Sequence, residues 1–148
     1  MRESGVAFFT SLTLHSLAMG FVVGINFAIG LRLIGFAPRL SIPPLVRFYP
    51  LHWYCAVLIL VSGLSLLLAY PAKALTNPVF YLKLAALLIA LLISRKLQKI
   101  LAVDFDDFEQ DKNIRRLAYL SLFLWVVTVT AGRFLAYTNS VLLASRFY

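Results

Sequence analysis

The sequence predicts an all-α protein, a bundle of four transmembrane helices running up, down, up and down with both termini outside. Three observations carry that reading. The 148-residue chain is 61% hydrophobic and only 14% charged, with a mean hydropathy of +0.88; soluble domains carry about 25% charged residues. Its apolar residues collect in four runs, about 6–31, 48–70, 78–95 and 117–137, each near the roughly 17–25 residues that cross a ~30 Å hydrocarbon core. Lipid offers no partner to backbone polar groups, so such runs must be helical. Finally, the cations gather beside two of the connections. Arg32, Arg39 and Arg47 follow the first run, and Arg95, Lys96, Lys99, Lys112, Arg115 and Arg116 lie between the third and fourth. The positive-inside rule then places loops 32–47 and 96–116 in the cytoplasm. In a bacterial inner membrane the termini are periplasmic.

The elements follow in order. The first run is too long, and "MRES" too weakly basic, for a cleaved signal peptide. "LSIPPLVRFYP" breaks the chain after it: Pro43 and Pro44 suit the first turn of an interfacial lead into helix 2, and Pro50 marks its junction with the membrane. "YPAKALTNP" ends helix 2 and opens helix 3, with Asn77 as N-cap and Pro78 in the first helical position. Short connections make sequential helices antiparallel neighbours. Leu97, Leu101, Phe105 and Phe108 recur at helical spacing, so helix 3 is expected to continue past the membrane as an amphipathic extension. The whole chain, 1–148, reads as one transmembrane domain.

Several functions are disfavoured at once. The net charge of +8 sits at helix ends, where anionic headgroups lie, and no basic stripe stands clear of the apolar runs, so no nucleic-acid partner is expected. The lone Cys55 precludes an internal disulfide. "DFDDFEQD" at 104–111 lacks the turn glycine and terminal glutamate of a calcium loop. No nucleophile–base set, carboxylate pair or phosphate loop appears, so no catalytic residue is assigned.

What remains is polar residues inside apolar helices, which are costly there and normally face the bundle interior. His15, Met19, Val22 and Asn26 share one face of helix 1. If the first hairpin turns near residues 39 and 40, Asn26 is level with Trp53, and an Asn26–His52 hydrogen bond between helices 1 and 2 is expected. The same arithmetic sets His15 and His52 about 12 residues apart, roughly 18 Å along the bundle, too far for both to ligate one b-type haem. Gly20, Gly24 and Ala28 form a separate small-residue face suited to helix packing. Towards the outer end, His15, Lys83 and Arg133 form a cationic cluster with little acid nearby. Lys83 and Arg133 can snorkel to lipid phosphate, or the cluster can hold an anionic or quinone-like ligand with Trp125 and Tyr137 as walls. Copper has only His15 and Met19 as soft or imidazole ligands nearby.

"LRLIGFAPRLSIPPL", "ALTNPVFYLKLAALLIA" and "LSLFLWVVTVTAGRFLAY" resemble an uncharacterised bacterial four-helix integral membrane family, a domain of unknown function. That family is distantly similar to the membrane domain of copper-resistance protein D and to b-type cytochrome bundles. The resemblance implies roles for His15, for Asn77, Pro78, Phe80 and Lys83, and for Gly132, Arg133, Ala136 and Tyr137. Relatives often carry an acid where this chain has Gly30, which removes any ion-pair role for that position. The expected function is a non-catalytic subunit packing into or assisting a larger inner-membrane, electron-transfer assembly, in contact with lipids and a membrane-protein partner or further copies of itself. The alternative is a haem-, quinone- or copper-binding redox protein using His15, Lys83 and Arg133.

Overall fold

The computed structural model describes residues 5–69, 71–103 and 111–144. All described elements are helices: α1 (Gly5–Leu33), α2 (Ile42–Val46), α3 (Tyr49–Ala69), α4 (Pro71–Leu75), α5 (Pro78–Val103) and α6 (Lys112–Ala144). Four of them, α1, α3, α5 and α6, are long and apolar enough to cross a membrane. The chain is a multi-pass membrane protein with an all-α four-helix bundle.

Local chemistry sets the helix ends. At the end of α1, Phe36 N–H donates to Leu31 C=O at 3.0 Å and Gly35 N–H to Arg32 C=O at 3.1 Å. This pair of bonds closes the last turn and needs a residue in the left-handed region, which Gly35 supplies at φ 83°. Arg32 Nε then donates to Leu40 C=O at 2.9 Å, folding the connection back. Prolines occupy the first turn of α2, where their missing N–H costs nothing. Asn77 caps α5, its Oδ1 accepting from Val79 N–H at 3.0 Å, and Asp111 does the same for α6 through Asn113 N–H at 2.8 Å.

α5 runs to Val103, beyond the membrane boundary expected at 95, and α6 begins at Lys112 rather than 117. Leu97 and Leu101 explain the first difference, because both are buried against the bundle and hold the helix past the hydrocarbon edge. Phe105, Phe108 and most of the acidic stretch lie outside the described residues.

α1 packs closely against α3 and α6, and α5 against α6, whereas α3 and α5 are not closely packed. Neighbours run antiparallel: His15 meets Ser62 while Asn26 meets His52, so positions rise on α1 as they fall on α3. Buried positions recur at alternating four- and three-residue steps, as in Ile114, Ala118, Ser121, Trp125 and Thr128 on α6. That spacing is the 3.5-residue period of helices crossing at about +20°.

The core is layered. At the end that carries the α1–α2 and α5–α6 connections, Ile25, Ile29, Leu33, Ile42, Leu97, Leu101 and Ile114 form one apolar cluster, with α2 inserted through Ile42. Towards the other end, called here the terminal end because α1 begins there, Ala18, Val22, Ile59, Leu87, Ala90 and Trp125 form a second. The outer surface is apolar too, including Leu17, Val57, Leu60, Leu64, Leu88, Leu92, Phe123 and Val126. In water such a surface would drive aggregation; in lipid it costs little, and the bundle is held by close packing and polar contacts instead.

Gly30 marks the tightest helix approach. A Cβ there would lie 2.8 Å from Leu122 Cγ and Cδ2 across the α1–α6 seam. Gly30→Ala is therefore expected to lower stability by about 1–3 kcal/mol. Gly24→Ala meets nothing within 4 Å and should change it by less than about 1 kcal/mol. Equilibrium unfolding in detergent micelles checks both.

Candidate functional site

Two polar nodes lie within the bundle. The first sits beside the connection-end core and joins three helices. Asn26 on α1 uses Nδ2 to donate to its own Val22 C=O at 2.8 Å and lies 2.8 Å from His52 Nε2 on α3. Its Oδ1 accepts from Ser94 Oγ on α5. A carbonyl only accepts, so the Val22 bond fixes which end of the amide is nitrogen, and the same nitrogen must donate to His52 Nε2. His52 is thus a neutral imidazole with its proton on Nδ1. The ring is fully buried and sets edge-to-face against Trp53, centroids 5.3 Å apart. Its Nδ1, like Trp125 Nε1 and Tyr49 Oη, has no hydrogen-bond partner among the described residues.

The second node lies at the terminal end, beyond the Trp125 layer. His15 Nδ1 is 2.9 Å from Ser62 Oγ. Ser62 donates its single hydroxyl proton to Leu58 C=O, so His15 Nδ1–H is the donor and Nε2 carries the free lone pair. Gly63 lies under the ring, where a Cβ would come 3.4 Å from His15 Cε1. Lys83 reaches across from α5, within electrostatic range of His15, and its Cε and Nζ would each be 3.5 Å from a Cβ on Gly132 of α6. Residues from all four long helices meet here.

Not every residue singled out in the sequence joins these nodes. Trp125 is fully buried in the apolar core, whereas Arg133 and Tyr137 are exposed on the bundle exterior. Eight residues of helix turn Arg133 about 80° away from Trp125, so the expected ligand walls do not converge. Met19 packs beside the second apolar cluster. Among the described residues nothing lies within 4 Å of a Cβ position on Gly20 or Gly24, so those two positions pack against none of them, while Ala28 is half-buried. His15 and Asn26, the partner of His52, lie eleven residues apart on α1, roughly 16 Å along the axis, so the two histidines cannot share one haem iron. Among the described residues no three His, Cys, Asp or Glu side chains cluster as metal ligands.

Sequence reasoning overlooked Ser62, Ser94 and the Trp53–Gln98 pair, in which Trp53 Nε1 donates to Gln98 Oε1 at 2.7 Å. The serines carried a usable signal, being polar residues at core-facing positions of apolar helices. Comparison with family models, curated proteins and solved structures returns no match.

The first node should behave as interhelical glue. In a double-mutant cycle, Asn26→Ala and His52→Ala are expected to couple by about 0.6 kcal/mol, and by no more than about 1.7. Independent additive effects in detergent unfolding would show that the bond contributes nothing.

Proposed function

We propose that the chain is a non-catalytic subunit of a larger inner-membrane assembly, its termini periplasmic and its basic connections cytoplasmic. The observation that carries this reading is the Gly20–Gly24 face of α1, which is exposed and meets none of the described residues within 4 Å of a Cβ position. Small residues at four-residue spacing let a second helix approach closely, so the face fits a foreign helix as well as its own sequence allows. The engagement of Asn26, His52 and Ser94 with one another supports a structural use of the buried polar groups. Placement within electron transfer, and kinship to the four-helix family, rest on the sequence resemblance alone.

One observation favours a second reading, a ligand-binding redox role: His15 and Lys83 converge at the terminal end. A quinone carbonyl or an anion suits a lysine donor there, while haem would need a second axial ligand from outside this chain. A reduced-minus-oxidised spectrum with a b-type band from the isolated chain would favour that reading over the first.

The subunit reading is tested by native electrophoresis after mild detergent extraction. The wild type should migrate in a complex containing other membrane polypeptides. Gly20→Leu/Gly24→Leu should release it, with unchanged thermal stability of the released chain. A lone monomer or a simple homo-oligomer from the wild type contradicts the proposal.

A further inference from the structure

The wide α3–α5 seam is not empty of chemistry at the connection end. Arg95 and Lys99 are four residues apart on α5 and therefore share a face. With Gln98, Ala102 and Trp53 of α3 they line a cleft of about 550 Å³. The Trp53–Gln98 hydrogen bond spans its floor. Beside it, with Trp53 as common wall, Pro50, Tyr54 and Val57 line a second, mainly apolar groove of about 330 Å³. Both are open to the bundle exterior and are not closed by a neighbouring helix.

The two grooves have a direction. Along α5, the step from Arg95 to Ala102 runs towards the connection end, where the chain leaves the hydrocarbon. Along α3, the step from Pro50 to Val57 runs from that end into the apolar layer. With Trp53 opposite Gln98 on antiparallel helices, Arg95 and Lys99 lie level with about Ala56 and His52, so the cationic and apolar walls run side by side near the connection end, and a tryptophan bridges them at the depth where indole rings prefer to sit. Arginine and lysine both pair well with phosphate oxygens. Among the described residues, no acidic one lines either groove.

We propose that this pair of grooves binds one anionic phospholipid, its phosphate held between Arg95 and Lys99 and an acyl chain laid along Pro50, Tyr54 and Val57. Two cations beside the phosphate repel a headgroup ammonium, so a headgroup of net negative charge is preferred over a zwitterionic one. The lipid fills the seam that the helices leave open and covers the Trp53–Gln98 bridge. This inference is independent of whether the chain is a subunit or a redox carrier.

Native mass spectrometry of the detergent-solubilised chain, titrated with phosphatidylglycerol or phosphatidylcholine, tests it. Each cation near an anionic surface contributes enough to change affinity several-fold. Phosphatidylglycerol should bind at one site at least tenfold tighter than phosphatidylcholine, and Arg95→Gln/Lys99→Gln should abolish the difference. Arg115→Gln/Arg116→Gln, which removes exposed cations of α6 outside the cleft, should preserve it. A second measurement locates the lipid: phosphatidylglycerol brominated on its acyl chain should quench tryptophan fluorescence, and Trp53→Phe should remove the quenching. Equal binding of both lipids, equal loss in the two arginine-containing variants, or quenching that survives Trp53→Phe would each overturn the proposal.

Discussion

The bundle turns on one amide. Asn26 sits in the middle of an apolar helix, where neither lipid nor water can satisfy it, and an unpaired amide in such a medium costs several kcal/mol. It finds its partners on two other helices, His52 on α3 and Ser94 on α5, as well as the Val22 carbonyl of its own turn. Apolar contacts could slide by a turn at little cost; these directional bonds cannot. Once Asn26 is matched to His52, antiparallel register brings His15 to Ser62 at the other end of the same seam. Burial of Asn26 at this level thus fixes which residues meet along the α1–α3 pair.

Around that node the arrangement differs from that of a soluble bundle. Large apolar side chains face outwards as well as into the core, and between the core isoleucines and leucines the interior also takes Ala86, Ala90, Ala118, Ser62, Ser94, Ser121 and Thr128. Small side chains let helices approach, and hydroxyls such as those of Ser62, Ser94 and Thr128 find partners without a long reach, as Thr128 does with Leu124 C=O at 2.8 Å. Trp125 is the largest fully buried side chain among the described residues and packs with Ala18 of α1 and Ala90 of α5. Because the seams are so economical in volume, the places where chemistry remains accessible are few: the terminal-end meeting of His15 and Lys83, and the open α3–α5 seam.

Much of this was legible from residues alone, because in lipid the physics is simple. Run length gave four spans, and the first hairpin's turn set Asn26 level with Trp53, one residue from the His52 it meets. Asn77–Pro78 announced the start of α5. What could not be read is rotation about each helix axis beyond the first hairpin. Arg133 and Trp125 share a helix and a half of the bundle, yet one faces out and the other in, and the helix contact that decides this involves α1 and α5 together. The α3–α5 cleft was hidden for a related reason. Its walls come from helices whose separation depends on how both pack against third parties, and no local pattern encodes that. The helical spacing of Leu97 and Leu101 announced that α5 continues beyond residue 95, but not that α2 and α6 would bury both side chains, because hydropathy alone does not position those elements.

The most direct test of the Asn26 node is the protonation of the His52 ring, observed by nitrogen-15 NMR of histidine-labelled protein in bilayers, with His52→Gln to assign the signal. The network demands a neutral ring with its proton on Nδ1 and a bare Nε2 that accepts from the Asn26 amide. That tautomer, lost or mixed in Asn26→Leu, is the expected result. A proton on Nε2, or a charged imidazolium at neutral pH, would mean that the amide does not donate to His52 and that the helix register is set by something else.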